Sequence, residues 1–161
     1  FARAATVALD VDDEVIAVED ALEDRQPGFV RSVTQGLDPD ERDQLFYQEG
    51  RKVFKEVCPM AAQHMTSHLA DLGFTPAQVR RFWLHQANLA MNQLIGRRLL
   101  GHDASADEAP VILDEFANTA SAGSIIAFHR HSRDLAAGDL GVICSYGAGY
   151  SAGNVIVRKL H

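Results

Sequence analysis

Residues 140–160 read LGVICSYGAGYSAGNVIVRKL, two apolar runs separated by a glycine-rich turn. The runs cover residues 140–146 and 154–160, and each has the length and the β-branched content of a buried strand. The turn between them is too short to hold a helix, so the spacing predicts a hairpin of two neighbouring strands. It is not a phosphate loop, because it lacks a Gly-Lys-Ser/Thr ending and leads into a strand.

Upstream of this hairpin, helical patterns alternate with strand-like ones. Further strands are predicted at residues 4–9, 14–18, 81–85 and 111–113. Helices are predicted after Asp38-Pro39, along the apolar face 53–72 that ends at Gly73, at Thr75-Pro76, over 88–100 and over 121–135. Loops are predicted at 19–36 and 102–110. The alternation favours an α/β fold with a mixed sheet.

Composition and charge limit the possible partners. The chain has 161 residues, 47% of them apolar, and a formal net charge of −7. The negative charge argues against nucleic acid or an anionic membrane as the main partner. Two cysteines suggest a reducing compartment, and we expect a cytoplasmic location. The first residues, Phe1-Ala2-Arg3-Ala4, lack an initiator Met and a signal peptide, which suggests a chain that begins partway through a larger fold.

Three polar or glycine-rich segments follow predicted strands. In an α/β sheet, binding and catalytic sites commonly form at the edge where strands end. His85 closes an apolar strand, so burial would keep its imidazole neutral and able to donate a hydrogen bond. Asn118 offers a neutral N–H donor, and the turn after Tyr146 can bring a main-chain N–H close to a ligand. Taken singly, each also has a structural interpretation: a strand-end histidine, a helix N-cap and a plain hairpin turn.

Together the three segments could supply hydrogen-bond donors to one substrate oxygen. Neutral donors and a main-chain N–H stabilise negative charge on a carbonyl oxygen without supplying a base. That arrangement suits an enolate formed by decarboxylation, or the oxyanion of a thioester.

Three motifs carry a family resemblance: HQAN at 85–88, DEFANTASAGS at 114–124 and YGAGYSAGNVIVR at 146–158. In this order and at these intervals they resemble β-ketoacyl-acyl-carrier-protein synthase III of the thiolase superfamily. The resemblance implies a thiolase-like fold of two similar halves, of which this chain is the C-terminal half, with a mixed sheet between helical layers. It also implies a homodimer and a Cys-His-Asn active site. The implied reaction is condensation of an acyl thioester, delivered as acyl-CoA, with malonyl-acyl carrier protein.

The resemblance also assigns roles to residues of this sequence. His85 and Asn118 would hold the malonyl thioester during decarboxylation, the main-chain N–H of Ala148 would be the oxyanion donor, and Tyr146 would shape the acyl pocket. The pantetheine tunnel would be lined by Phe54, Ala87 and Asn88, and the acyl carrier protein would dock on Lys55, Arg97 and Arg98. Ala90 and Arg51 depart from the family pattern, so carrier docking or acyl-donor choice is expected to differ from that of the housekeeping enzyme.

The nucleophilic cysteine of this family does not transfer to either cysteine here. Cys58 lies on the apolar face of a helix and Cys144 inside an apolar strand, so both are expected in the core. The chain alone is therefore expected to be inactive without an N-terminal half. His64 and His68 lie four apart but have no evident third ligand, so no metal and no cofactor are expected.

Two alternatives stay open. Relatives with the same triad transfer acyl groups without decarboxylation or join two acyl-CoAs. The other is a non-catalytic subunit that pairs with a cysteine-bearing partner and only shapes its tunnel, although such a subunit would not need both His85 and Asn118.

Overall fold

The computed structural model describes residues 13–22, 30–31, 47–48, 50–147 and 151–161. In chain order the elements are β1 (Asp13–Leu22), β2 (Val30–Arg31), β3 (Tyr47–Gln48), α1 (Gly50–Asp71), a 3₁₀ turn (Pro76–Gln78), β4 (Val79–Leu84), α2 (Leu89–Leu100), α3 (Leu113–Phe116), α4 (Ala122–Arg130), β5 (Leu140–Gly147) and β6 (Ser151–Lys159). The predicted strand at 4–9 and the predicted helix start at Asp38-Pro39 lie outside the described residues.

The sheet is mixed, as predicted. Its strand order is β1-β6-β5-β4, with β4 parallel to β5 and the other neighbours antiparallel. β5 and β6 form the predicted hairpin, in which Gly147 pairs with Ser151. β1 is longer than the predicted strand 14–18, because its pairing with β6 continues to Leu22 opposite Ser151. β2 and β3 pair separately as a two-stranded sheet.

The helices cover both faces of the four-stranded sheet. α1 packs on α2 and on β5 and β6, while α4 packs on β4 and β5. The cluster on the α1 and α2 face contains Met65, Phe82, Ile95 and Tyr146 among its members, and the cluster that joins α4 to the sheet contains Trp83, Phe128 and Ile143. Alternate residues of β4 and β5 thus face opposite helical layers, as the strand period requires.

The apolar periodicity of 53–72 is confirmed as one long helix with a buried face. α2 is confirmed between its predicted boundaries. Asn88 caps its start by accepting the Met91 N–H at 2.9 Å, and Gly101 ends it with a left-handed φ of 77°. That conformation favours glycine, so this boundary is readable from sequence.

The prediction of a strand at 111–113 is wrong. The segment before α3 follows the free edge of β4 but bonds mainly to one side chain, the fully buried Gln86. Gln86 Nε2 donates to the carbonyls of Leu84 at 2.9 Å and Pro110 at 3.3 Å, and Gln86 Oε1 accepts the Ile112 N–H at 3.1 Å. Pro110 has no N–H to give to a strand ladder. A side chain therefore replaces the neighbouring strand.

The prediction that a helix runs over 121–135 is too long. α4 ends at Arg130, and the next carbonyl, that of His131, accepts two hydrogen bonds from β4. Arg81 Nη1 donates to it at 2.6 Å and Trp83 Nε1 at 3.1 Å. These donors satisfy the carbonyl at the helix end and turn the chain away from the helical path.

Arg81 is the centre of a charged network at the start of β4. Its side chain is 3% exposed, and it pairs with Asp107 and with Asp134, whose Oδ1 lies 2.6 Å from Nη1. Its Nε also donates to the Asp107 carbonyl at 2.7 Å. Hydrogen bonding to Arg81 lowers the pKa of Asp134 to about 2. One buried guanidinium thus holds the loops on either side of β4.

Replacing Arg81 with Met should lower the free energy of unfolding by roughly 2–3 kcal/mol, because the carbonyls of Asp107 and His131 lose a charged donor. Urea titration followed by circular dichroism measures this. The matched control is Arg80→Met, which removes an exposed partner of the same Asp107 and should change stability by less than about 0.5 kcal/mol. Equal losses in both variants would contradict the assignment of Arg81 as the network's centre.

Candidate active site

His85 follows directly on β4, beside the corresponding point of β5. The last paired residues of the two parallel strands are Leu84 and Cys144. One position further on, His85 and Ser145 therefore stand next to each other at the carboxyl edge of the sheet. This is the edge at which sites form in α/β sheets.

The imidazole of His85 is fixed by two neighbours on β5. Its Nδ1 lies 3.1 Å from Ser145 Oγ, and its ring centroid lies 4.5 Å from that of Tyr146 at an interplanar angle of 50°. His85 is 7% exposed, and burial lowers the pKa of its imidazole. The ring is therefore neutral at pH 7, with one nitrogen engaged by Ser145. The alternative of a histidine bonded only within its own strand end does not hold, because its ring partner lies on the neighbouring strand.

Asn118 occupies an exposed loop between α3 and α4. Its Oδ1 accepts the Ala120 N–H at 2.9 Å, and its two flanking turn residues, Ala117 and Ala120, have φ values of 52° and 54°. Positive φ strains a residue with a Cβ, and such strain concentrates at functional sites. Because the carbonyl end of the amide is held, the N–H₂ end points away and can donate.

The interpretation of Asn118 as a helix N-cap is wrong. The residue that precedes α4 is Ser121, and Asn118 bonds to Ala120 instead. The sequence pattern alone could not separate a cap from a turn, since both use a short side-chain acceptor.

Gly123 brings the Asn118 loop against the His85 motif. A Cβ at this first turn of α4 would lie 2.8 Å from Gln86 Cβ and 3.2 Å from Thr119 Oγ1. Real Cβ atoms do not approach so closely, so only glycine lets α4 rest on Gln86. Gln86 adjoins His85 and Thr119 adjoins Asn118, and the two predicted donors therefore belong to segments in direct contact.

The remaining pocket residues form one apolar neighbourhood. Tyr146 is a buried member of the apolar cluster between the sheet and α1. Phe54 and Ala87 are partly buried and pack against this cluster. Burial raises the pKa of the Tyr146 hydroxyl, which has no hydrogen-bond partner among the described residues. Asn88 is exposed, with its carbonyl oxygen used as the α2 cap. The role predicted for Ala148 falls outside the described residues.

The basic residues lie on α1 and at the end of α2. Lys55, Arg97 and Arg98 are all exposed. Arg97 pairs with Asp103, with Nε 2.6 Å from Oδ1, but both side chains remain mostly in solvent. The charge of Arg98 acts on the thiol of Cys58 and opposes the rise of its pKa.

Neither cysteine fits the role of a nucleophile. Both are buried and free, as predicted. Burial raises the pKa of Cys58 to about 11, against the opposing charge of Arg98, and raises that of Cys144 to about 12. Both thiols are protonated at neutral pH, and a thiol is unreactive compared with its thiolate.

His68 has a structural partner that sequence inspection missed. Its Nδ1 lies 2.6 Å from Oδ1 of the buried Asn154, joining α1 to β6. No group of three or more His, Cys, Asp or Glu side chains suited to a metal ion occurs within the described residues. Nor does any helix in the described ranges have the length and apolarity to cross a bilayer.

Two side chains of the site also escaped the sequence analysis: Gln86 and Ser145. Gln86 lies inside the HQAN motif, where a fully buried amide is readable only once its distant partners are known. Ser145 follows Cys144 in an apolar strand. A polar residue at this position was the sequence feature that could have indicated a site residue.

The part of the chain that holds the site matches known proteins. Residues 69–159 match the family described as 3-oxoacyl-[acyl-carrier-protein (ACP)] synthase III C terminal. The chain is 64% identical over 118 residues, or 73% of its length, to a β-ketodecanoyl-[acyl-carrier-protein] synthase of Pseudomonas aeruginosa. It is 28% identical over 114 residues, or 70% of its length, to a β-ketoacyl-[acyl-carrier-protein] synthase III of Desulfotalea psychrophila. Each match covers 34% of the relative, so the chain spans about a third of their length.

Solved structures show the same fold. The 3-oxoacyl-[acyl-carrier-protein] synthase III of Aquifex aeolicus superposes with a TM-score of 0.76 at 20% identity, over 94% of this chain and 46% of that one. The enzyme of the same description from Pseudomonas aeruginosa gives 0.76 and 20%, over 92% and 45%. The predicted thiolase-like fold is confirmed. Because the family match covers more than half of the chain and includes His85, Asn118 and the β5–β6 hairpin, the chain belongs to the 3-oxoacyl-[acyl-carrier-protein] synthase III family, of which it holds the C-terminal portion.

Proposed function

We propose that this chain supplies the decarboxylating half of an active site that condenses an acyl thioester with malonyl-acyl carrier protein. The observation that carries the proposal is the contact between two segments, one ending in a buried neutral His85 and the other holding Asn118 with its amide N–H₂ free to donate. Both groups are donors, and neither is a charged acid or base at neutral pH.

Neutral donors suit decarboxylation because no proton has to be abstracted. The bond between the malonyl α-carbon and its carboxylate breaks, CO₂ leaves, and the electron pair passes into the thioester as an enolate. His85 and Asn118 donate hydrogen bonds to the enolate oxygen as its charge develops. The enolate carbon then attacks an acyl thioester held on cysteine, the new C–C bond forms, and the cysteine sulfur leaves as a thiolate.

The cysteine that holds the acyl group belongs, in this proposal, to an N-terminal half that packs over the site. The two cysteines of this chain are buried and protonated at neutral pH. Large apolar side chains stand exposed beside both motifs: Leu89 is 50% exposed just after HQAN, and Ile125 is 55% exposed on α4. Asn118 is exposed as well. A covering half would bury these groups and exclude water from the enolate.

The substrate path is proposed on the α1 and α2 side. Phe54, Ala87 and Asn88 would line the tunnel for the pantetheine arm that both acyl-CoA and the carrier protein present. Lys55, Arg97 and Arg98 would dock the acyl carrier protein, since exposed basic side chains are suited to an acidic partner. No cofactor beyond these substrates is required.

We further infer a cytoplasmic homodimer for the complete enzyme. The two free, buried cysteines support a reducing compartment. The family resemblance supports the dimer.

His85→Ala and Asn118→Ala, made in the complete enzyme, should each lower the rate of malonyl decarboxylation on the order of 100- to 1,000-fold, as expected for loss of one oxyanion donor. Acylation of the nucleophilic cysteine should persist in both, because it does not use the enolate donors. Release of labelled CO₂ from malonyl-carrier protein and mass spectrometry of the acyl-enzyme measure the two steps.

The controls are His129→Ala and Gln93→Ala, which remove an exposed imidazole from α4 and an exposed amide from α2. Both should decarboxylate normally. If the His85 and Asn118 variants also did so, the donor roles would be wrong, and an acyl transfer without decarboxylation or a non-catalytic subunit would become the better account.

Gly123→Ala should reduce decarboxylation by at least about tenfold, because its methyl group would force α4 and the Asn118 loop away from Gln86, and small misplacements cost large factors in rate. The neighbouring Ser121→Ala changes an exposed residue without a side-chain cap bond and serves as the control. Wild-type rates in a folded Gly123→Ala enzyme would show that this contact does not set the spacing of the donors.

The Pseudomonas relative of 64% identity is named for a β-ketodecanoyl product. Condensation with a malonyl unit adds two carbons once CO₂ has left, so such a product requires an octanoyl donor. We expect octanoyl-CoA to give the highest kcat/KM in a series from acetyl- to dodecanoyl-CoA. A clear preference for acetyl-CoA would instead indicate use of the shortest donors.

A further inference from the structure

Ser145 stands beside His85 at the end of the parallel strand pair. Its backbone is held opposite Gly153 of β6, while on its other side β5 pairs with β4 up to Leu84 and Cys144. The position is therefore rigid, and it is only half-buried.

The contact between Ser145 Oγ and His85 Nδ1, at 3.1 Å, can be made in two ways. Either the hydroxyl donates to a bare Nδ1, or a protonated Nδ1 donates to the hydroxyl oxygen. A neutral imidazole carries one N–H, so the first leaves the proton on Nε2 and the second leaves Nε2 as a lone-pair acceptor. Only the first gives His85 a donor on its second nitrogen.

The surroundings of Ser145 favour the first arrangement. Within the described residues its hydroxyl has no other hydrogen-bond partner, so Nδ1 is the acceptor available to its hydrogen. In the second arrangement that hydrogen would have no acceptor among the described residues, whereas the first arrangement pairs it with Nδ1. Tyr146 supplies no competing acceptor for Nδ1, since the two rings are tilted by 50° and its hydroxyl has no hydrogen-bond partner among the described residues.

We propose that Ser145 is a positioning residue: its hydroxyl donates to Nδ1 of His85 and thereby keeps the imidazole proton on Nε2, the nitrogen left to donate to the substrate. The inference rests on the proposed function, because it explains how a neutral histidine is held as a donor rather than as a base. Ser145 acts through His85 and does not itself touch the enolate.

The direct test is the tautomer of His85 in the complete enzyme, read by ¹⁵N NMR of histidine-labelled protein. The His85 resonances are identified by their absence from a His85→Gln sample. The wild type should show an unprotonated Nδ1 and a protonated Nε2. Ser145→Ala should shift both nitrogens toward averaged values, as both tautomers become populated.

The same variants carry a kinetic expectation. Ser145→Ala should lower kcat for decarboxylation roughly three- to tenfold, the effect of one net hydrogen bond, with KM unchanged. Ser145→Thr keeps the hydroxyl on a residue that strands accept and should restore both the spectrum and the rate. Ser67→Ala, which removes the exposed hydroxyl that accepts from Gln63 on α1, should change neither.

A protonated Nδ1 in the wild-type enzyme would overturn the proposal, whatever the variants do. So would a Ser145→Ala enzyme whose His85 spectrum and kcat both match the wild type. These outcomes are distinct from failure of the proposed function, which would appear as normal decarboxylation by His85→Ala. The tautomer is measured without turnover and is independent of that result.

Discussion

The side chain of Gln86 is the interaction on which the rest of the site depends. It is fully buried and uses both ends of its amide, donating to the carbonyls of Leu84 and Pro110 and accepting the Ile112 N–H. The α4 helix rests against its Cβ through Gly123. A single amide therefore ties the end of β4, which carries His85, to the loop and helix that flank Asn118. An unpaired buried amide is costly, so this arrangement is strongly specified.

Arg81 acts in a comparable way at the opposite end of β4. There a buried guanidinium satisfies the carbonyl of His131 at the end of α4 and binds Asp107 and Asp134 in the loops around it. α4 is consequently held at both ends by side chains of one strand region, with Gln86 near its start and Arg81 at its end. The placement of α4 beside the Asn118 loop therefore depends on side chains in and just after β4.

Much of this fold follows from local patterns. The β5–β6 hairpin, the buried face of α1 and the α2 boundaries at Asn88 and Gly101 were all readable from periodicity and capping residues. Two errors in the predicted elements have one physical cause. The strand predicted at 111–113 and the extension of α4 to 135 both fail because Gln86, Arg81 and Trp83 bond to backbone groups far away in sequence. Periodicity reports which residues are buried, and it contains no information on such side-chain bonds.

In the candidate site, too, residues with a local sequence signal were predicted, and a residue that depends on distant contacts was missed. His85 was found from its strand-end context and Asn118 from the small residues that follow it, although the strand predicted before Asn118 is a short helix, α3. Ser145 was not found, because its meaning depends on the parallel register of β4 and β5. Both donors are proposed to bind the same oxygen atom. The most direct measurement is a crystal structure of the complete enzyme with a malonyl thioester analogue that cannot lose CO₂. The account predicts the thioester carbonyl oxygen at about 2.7–3.1 Å from both His85 Nε2 and Asn118 Nδ2. A carbonyl oxygen bound away from either nitrogen would contradict it.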